Sequence, residues 1–165
     1  MENLWAPWRM TFIAPKTEHS QGCIFCTKPA ENRDEQTYIL HRGELCYMML
    51  NLYPYNNGHL MVVPYQHVGT IEKLDAATLA ELMGQAQLAL RALHFAMKPD
   101  GFNMGINEGK VAGAGFEEHV HLHIVPRWSG DTNFMPVLAE VKVMPEHLDS
   151  TYQKLKHALE AIKSE

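Results

Sequence analysis

No apolar run in this 165-residue sequence approaches the roughly 18–20 residues that a membrane-spanning helix needs. The first residues, Met1-Glu2-Asn3-Leu4-Trp5, lack the basic start and apolar stretch of a secretory signal, so a cytoplasmic protein is expected. Positive charge is also in short supply. With 14 Lys and Arg against 19 Asp and Glu the formal charge is −5, which excludes a broad basic face for non-specific nucleic-acid binding. A small phosphate ligand stays compatible with that charge, because backbone N–H groups and a few cations can make one site locally positive. Cysteine is scarce. Cys23, Cys26 and Cys46 are too few for a disulfide framework, and the spacing Cys23-x-x-Cys26 reads as metal-binding, redox-active or simply reduced. Internal repeats, low-complexity tracts and long linkers are missing as well, which leaves one domain spanning 1–165.

What is present begins with an N-terminal segment, residues 1–35, expected to be irregular because of Pro7, Pro15 and Pro29. Strands are predicted over Thr37–His41, Leu45–Leu52 and Gly58–Tyr65, the last two joined by a turn that ends in Asn57-Gly58. A long helix follows. Asp75 is its expected N-cap, Pro99 its stop, and Leu79, Leu82, Met83, Ala86, Leu90, Leu93 and Met97 its apolar stripe. A strand over Gly101–Asn107 comes next, then a loop, Gly109–Gly115, with three glycines that let backbone N–H groups approach a ligand. A second helix is predicted from about Pro145 to Ile162, with Leu148, Tyr152, Leu155 and Leu159 on one face, inside a C-terminal extension over 129–165. Several strands around one long helix imply an α+β fold with an antiparallel sheet.

The strongest chemical signal is His119-Val120-His121-Leu122-His123, in a predicted strand over 118–126. Val120, Ile124 and Val125 favour extended backbone, and Pro126 ends the run. Alternation puts the three histidines on one face, neighbouring rings starting about 6.5–7 Å apart, and Val120, Leu122 and Ile124 on the other. Packing alone does not call for three imidazoles in a row. One reading makes them ligands of a catalytic metal, although the Asp-His continuation of a binuclear metallohydrolase is missing. The other makes one ring a nucleophile or general base and its neighbours the groups that orient it.

His119-Val120-His121-Leu122-His123-Ile124-Val125 resembles the signature of the histidine triad (HIT) family, three histidines each followed by an apolar residue. Asn51-Leu52-Tyr53-Pro54 with Gly58–Pro64 resembles that family's ribose-binding strand pair, and Asn103 and Asn107 precede the triad as in its members. Leu4–Met10 and Arg127–Phe134 resemble a bacterial subgroup of the diadenosine-tetraphosphate phosphorylase type. The resemblance implies a HIT-like α+β fold and a homodimer whose two five-stranded sheets join across the interface. It implies hydrolysis or transfer at the α-phosphate of a nucleotide, with His121 as the nucleophile, water or inorganic phosphate as the acceptor, and no organic cofactor. Alternatives are cleavage of adenosine phosphoramidates or acyl-nucleotides, and a weakly active nucleotide-binding adaptor. His119, His123 and His59 join His121 as catalytic candidates. Substrate-binding candidates are Asn51 and Leu52 at the ribose, Asn103 and Asn107, and the backbone of Gly113, Ala114 and Gly115 at the phosphates. One departure stands out: Gly115-Phe116-Glu117-Glu118 replaces the Gln or Ser that many family hydrolases carry just before the triad.

Cys23-Ile24-Phe25-Cys26 resembles the zinc half-site of some bacterial HIT proteins. That likeness adds His67 and His119 to a Cys2His2 set for structural Zn2+. Trp5, Trp8 and Trp128 are open to base stacking or interface packing.

Overall fold

The computed structural model describes residues 22–132 and 144–164. Two short helices, α1 (Ile24–Ala30) and α2 (Asp34–Thr37), lead into β1 (Ile39–Arg42), β2 (Cys46–Leu50) and β3 (Leu60–Pro64). The long helix α3 (Ala76–Met97), strands β4 (Gly101–Ile106) and β5 (Leu122–Arg127), and helix α4 (Leu148–Lys163) complete the fold. The strands form one antiparallel sheet in the order β1-β2-β3-β5-β4. This is the expected α+β architecture with five strands.

β2 and β3 are buried along their whole length, which is why they read as continuous apolar runs rather than alternating ones. One face of the sheet, with Met48, Leu50, Leu60, Val62, Leu122 and Ile124, packs under α3 and α4. Burial of each such side chain contributes roughly 1.5–3 kcal/mol. The opposite face carries Tyr47, Met49, Met61 and Val63 and is covered by Phe25 of α1. His123 pairs with Met61 across the β3–β5 ladder and so lies on this second face, away from the helices. Gly105 of β4 is opposite His123 on its other side.

The capping signals act where they were read. The Asp75 carboxylate accepts a hydrogen bond from the Thr78 N–H at 2.7 Å and fixes the start of α3. Lys98 closes the helix in the left-handed region at φ 47°, directly before Pro99. Gly58 has φ 72°, and a Cβ there would come within 2.7 Å of Met97 Sδ, so the turn before β3 requires glycine for both conformation and space.

Three expectations are corrected. The N-terminal segment is not irregular throughout, because α1 and α2 occupy 24–30 and 34–37. Met83 is exposed, and the buried stripe of α3 runs through Leu82, Ala86, Ala89 and Leu93. The triad strand begins at Leu122 rather than at 118. The Pro64 carbonyl, where β3 ends, accepts from the His119 ring (Nε2 to O 2.8 Å), and the Val120 N–H turns to Val68 O at 2.7 Å. A side chain thus replaces the next rung of the ladder. Among the described residues no helix is long and apolar enough to cross a membrane. Leu4–Met10, with Trp5 and Trp8, lies outside the described residues, as do Asn133 and Phe134.

Candidate active site and metal centre

Hydrogen bonds set the protonation of the three triad rings, and the rings come out unequal. His121 Nδ1 is 2.9 Å from the His119 carbonyl oxygen, which can only accept. The hydrogen therefore sits on Nδ1, and the lone pair of the neutral ring is at Nε2. Burial holds the His121 pKa below the ordinary imidazole value, opposed in part by that same hydrogen bond. The result is a neutral imidazole with its basic nitrogen defined.

His123 is set from the other side. The Tyr55 N–H donates to His59 Nδ1 at 3.0 Å, so His59 carries its hydrogen on Nε2. That nitrogen donates to His123 Nδ1 at 3.0 Å, which places the His123 hydrogen on Nε2. Asn51 completes the chain: its Oδ1 accepts from the Tyr53 N–H at 2.9 Å, and its Nδ2 is 3.4 Å from His59 Nδ1. The rings of His121 and His123 meet edge to face, centroids 4.6 Å apart. A neutral acceptor nitrogen and an N–H donor thus sit side by side on one sheet face.

His119 faces elsewhere. Its Nε2–H is committed to Pro64 O, which leaves the lone pair at Nδ1. Nδ1 lies 3.3 Å from Cys23 Sγ, 3.6 Å from Cys26 Sγ and 3.2 Å from His67 Nδ1, and Cys26 Sγ is 3.4 Å from His67 Nδ1. Cys23, Cys26, His67 and His119 are brought together with all four donor atoms within 4.8 Å of one another. Tetrahedral zinc with bonds of about 2.3 Å to sulfur and about 2.0–2.1 Å to nitrogen implies S···N edges of ~3.6 Å and N···N edges of ~3.3 Å. The observed separations match. Burial, and then the neighbouring Cys23, push the Cys26 thiol pKa up, a penalty that a cation between the two sulfurs would remove. The donor set fits zinc in number, kind and spacing. Cys46 takes no part: it is buried, its Sγ donates to Thr78 O, and its pKa is pushed up to about 12, chiefly by burial.

The substrate candidates divide. Asn51 is buried beside His59, while Leu52 is exposed. Asn103 lies on the His123 face of the sheet, where its Oδ1 accepts from Arg127 Nη1 at 2.8 Å. Asn107 is half-buried just beyond the end of β4. The glycine loop qualifies one expectation. The Gly113 N–H donates to Lys110 O and the Ala114 N–H to Gly109 O, so two of the three amides read as phosphate donors close the loop on itself. Trp128 donates its backbone N–H to Asp131. That carboxylate also takes both Arg127 Nε and Nη2, and Asn56 Nδ2.

Two residues at the site escaped sequence reasoning. Tyr55 stacks on His123 and meets His59 at a tilt, at 5.7 and 4.6 Å between centroids, besides setting the His59 tautomer. Phe25 lies 4.7 Å from the His121 ring. Its place between the two cysteines was the available signal.

A family model for the HIT domain matches residues 32–130. The AP-4-A phosphorylase of Mycobacterium tuberculosis is 42% identical, over 94% of this chain and 83% of that protein. Among solved structures, a Zn-bound histidine triad family protein from Mycobacterium smegmatis is 26% identical with a TM-score of 0.71, covering 87% of this chain and 96% of the other. A hypothetical histidine triad nucleotide-binding protein from Sulfolobus tokodaii is 30% identical with a TM-score of 0.67, covering 86% and 94%.

Proposed function

The chain belongs to the HIT domain family, and on that premise we propose that it cleaves diadenosine polyphosphates at an α-phosphorus, with His121 as nucleophile and inorganic phosphate as acceptor. The observation that carries this is the His121–His119 hydrogen bond, which leaves a neutral ring with its lone pair at Nε2. The 42% identity to an AP-4-A phosphorylase supports the substrate class and the acceptor.

His121 Nε2 attacks the α-phosphorus, a P–N bond forms, and the P–O bond to the remaining nucleotide breaks. The leaving group departs with the electron pair. Phosphate then attacks the same phosphorus, the P–N bond breaks, and the His121 lone pair is restored, so one displacement becomes two easier ones. The His123 Nε2–H stabilises the non-bridging oxygens as charge develops. His59 and Tyr55 hold that hydrogen in place through the His123 tautomer. Asn51 binds the ribose, and Gly115 is the loop residue best placed by elimination to offer an amide, since Gly113 and Ala114 spend theirs within the loop.

Cys23, Cys26, His67 and His119 would hold a structural zinc ion. Bound there, it would supply no reacting group; the four side chains would tie α1 to the triad segment, and His119 would be withdrawn from acid–base chemistry. Two copies of the chain associate through β4, an edge strand whose Asn103, Met104 and Gly105 are exposed, so that two sheets become one. Cys23, Cys26 and Cys46 are not joined in a disulfide, which agrees with a cytoplasmic setting.

The test is product analysis with diadenosine tetraphosphate. ADP plus ATP formed only when phosphate is supplied supports the reading. AMP plus ATP at the same rate without phosphate makes water the acceptor. Release of AMP from an adenosine phosphoramidate, with diadenosine tetraphosphate untouched, replaces the substrate class. His121→Asn is expected to remove turnover and the trapped nucleotidyl-enzyme; a variant that retained most of the rate would refute the nucleophile.

A further inference from the structure

The His121 ring is held on more than its hydrogen-bonding edge. Its Nδ1–H points to His119 O, and a single hydrogen bond still lets a ring swing about that contact. Two further surfaces close off the swing. The edge-to-face contact with His123 is one. The Phe25 ring is the other, with centroids 4.7 Å apart and planes inclined by 38°. Phe25 is itself immobilised. It is 2% exposed, its carbonyl accepts from the Tyr47 hydroxyl at 2.8 Å, and its ring meets Phe116 edge-on at 5.5 Å.

Phe25 also stands between Cys23 and Cys26. Cys23 is the N-cap of α1, and its carbonyl accepts from the Cys26 and Thr27 N–H groups, so the two sulfurs and the intervening ring form one rigid knuckle. Two of the three contacts that define the His121 ring therefore run back to the Cys/His cluster, one through the His119 carbonyl and one through Phe25.

We infer that Phe25 is a positioning residue for His121: the knuckle that carries Cys23 and Cys26 presents its phenyl ring to the nucleophilic imidazole and fixes the plane in which Nε2 meets the phosphorus. This rests on the reading of His121 as nucleophile. The role is one of orientation, because Phe25 offers no polar atom to the reaction. Its contribution falls on the chemical step, where a displacement of about 1 Å costs on the order of a hundredfold.

The test compares Phe25→Leu, which keeps apolar volume and loses the ring plane, with Phe25→Tyr, which keeps the plane. Each is assayed for kcat and KM, for bound zinc, and by 15N NMR of the histidine ring nitrogens without substrate. The expected result for Phe25→Leu is a kcat lower by about 10- to 100-fold with KM within about twofold. Zinc content is unchanged, and the His121 nitrogens lose the pattern of one fixed Nδ1–H tautomer. Phe25→Tyr is expected to restore that pattern and most of kcat. A Phe25→Leu protein with unaltered kcat and raised KM would make Phe25 part of the substrate pocket and overturn the inference. A fall in kcat with the His121 spectrum unchanged overturns it too, as does a fall that merely follows zinc loss. The NMR readout needs no turnover, so it decides the Phe25–His121 relationship even if His121→Asn shows the nucleophile to be a different residue.

Discussion

His59 donates its Nε2–H to His123 Nδ1 across 3.0 Å, and the Tyr55 N–H on the far side of the His59 ring leaves no other tautomer consistent with both bonds. A residue 64 positions away in sequence thus decides which nitrogen of His123 bears the hydrogen. Replacing His59 by Phe removes the donor. kcat is expected to fall about 10-fold or more, as for loss of a positioned acid–base partner. Ring-nitrogen NMR should show His123 as a mixture of tautomers. A single, unchanged His123 tautomer in His59→Phe would refute the relay.

The metal centre makes a prediction about composition and stability. Purified protein should contain about one zinc per chain, and Cys23→Ser should lose most of it. Because the four candidate ligands join α1, the segment after β3 and the triad, removal by a chelator or by that variant should lower the unfolding temperature by roughly 10 °C or more. Elemental analysis paired with thermal unfolding checks both. Metal content that is unchanged by Cys23→Ser would dismiss the site.

Asp131 governs an acid-side effect. Hydrogen bonds from the Arg127 guanidinium lead the causes that hold its pKa at about 2, against 3.8 for an unperturbed group, with the Trp128 N–H and Asn56 adding to them. A depressed carboxylate stabilises the fold in full above its unfolded value, and the contribution disappears as pH falls through the folded one. Wild type should therefore exceed Asp131→Asn in stability by a constant amount above about pH 5, with the gap closing between about pH 4 and 2. Denaturant titrations across that range measure it. A gap independent of pH down to 2 would show that the carboxylate's charge is not what matters.

The β4 edge predicts assembly. Met104 is 40% exposed on that strand, and Met104→Glu should weaken self-association by about 10-fold or more, read by sedimentation, while leaving the fold intact. A wild-type chain that stays monomeric at micromolar concentration would remove the interface.

Much of the fold was legible because the signals were local. Asp75 and Pro99 bound α3, Asn57-Gly58 marks the turn into β3, and the alternation of His with Val, Leu and Ile assigns His123 to one face and Leu122 and Ile124 to the other. The unequal roles of the three histidines were only partly legible. Likeness to a family could suggest His67 and His119 for a metal, but the tautomers depend on Pro64, Tyr55 and Asn51, and those partners meet only in three dimensions. The early end of the ladder was hidden for the same reason: nothing in the triad's own residues announces that a ring will take the place of a rung. Phe25 carries no polar group to single it out, and its contact with His121 forms only once α1 folds over the sheet. The glycine loop shows the reverse. Its composition advertises backbone donors, and the fold consumes two of them.

The bond from His119 Nε2 to Pro64 O has a further consequence, for folding fidelity. β3 presents apolar residues on both faces, so its own side chains do not decide which face meets the helices. A slip of one residue would carry His121 and His123 into the layer beneath the helices. In the observed alignment the imidazole reaches that carbonyl while its other nitrogen looks toward the cysteines. The first histidine thereby works as a registration mark: its ring bonds to the end of β3 in this alignment, and the His121 ring two residues later is anchored on the same residue's carbonyl.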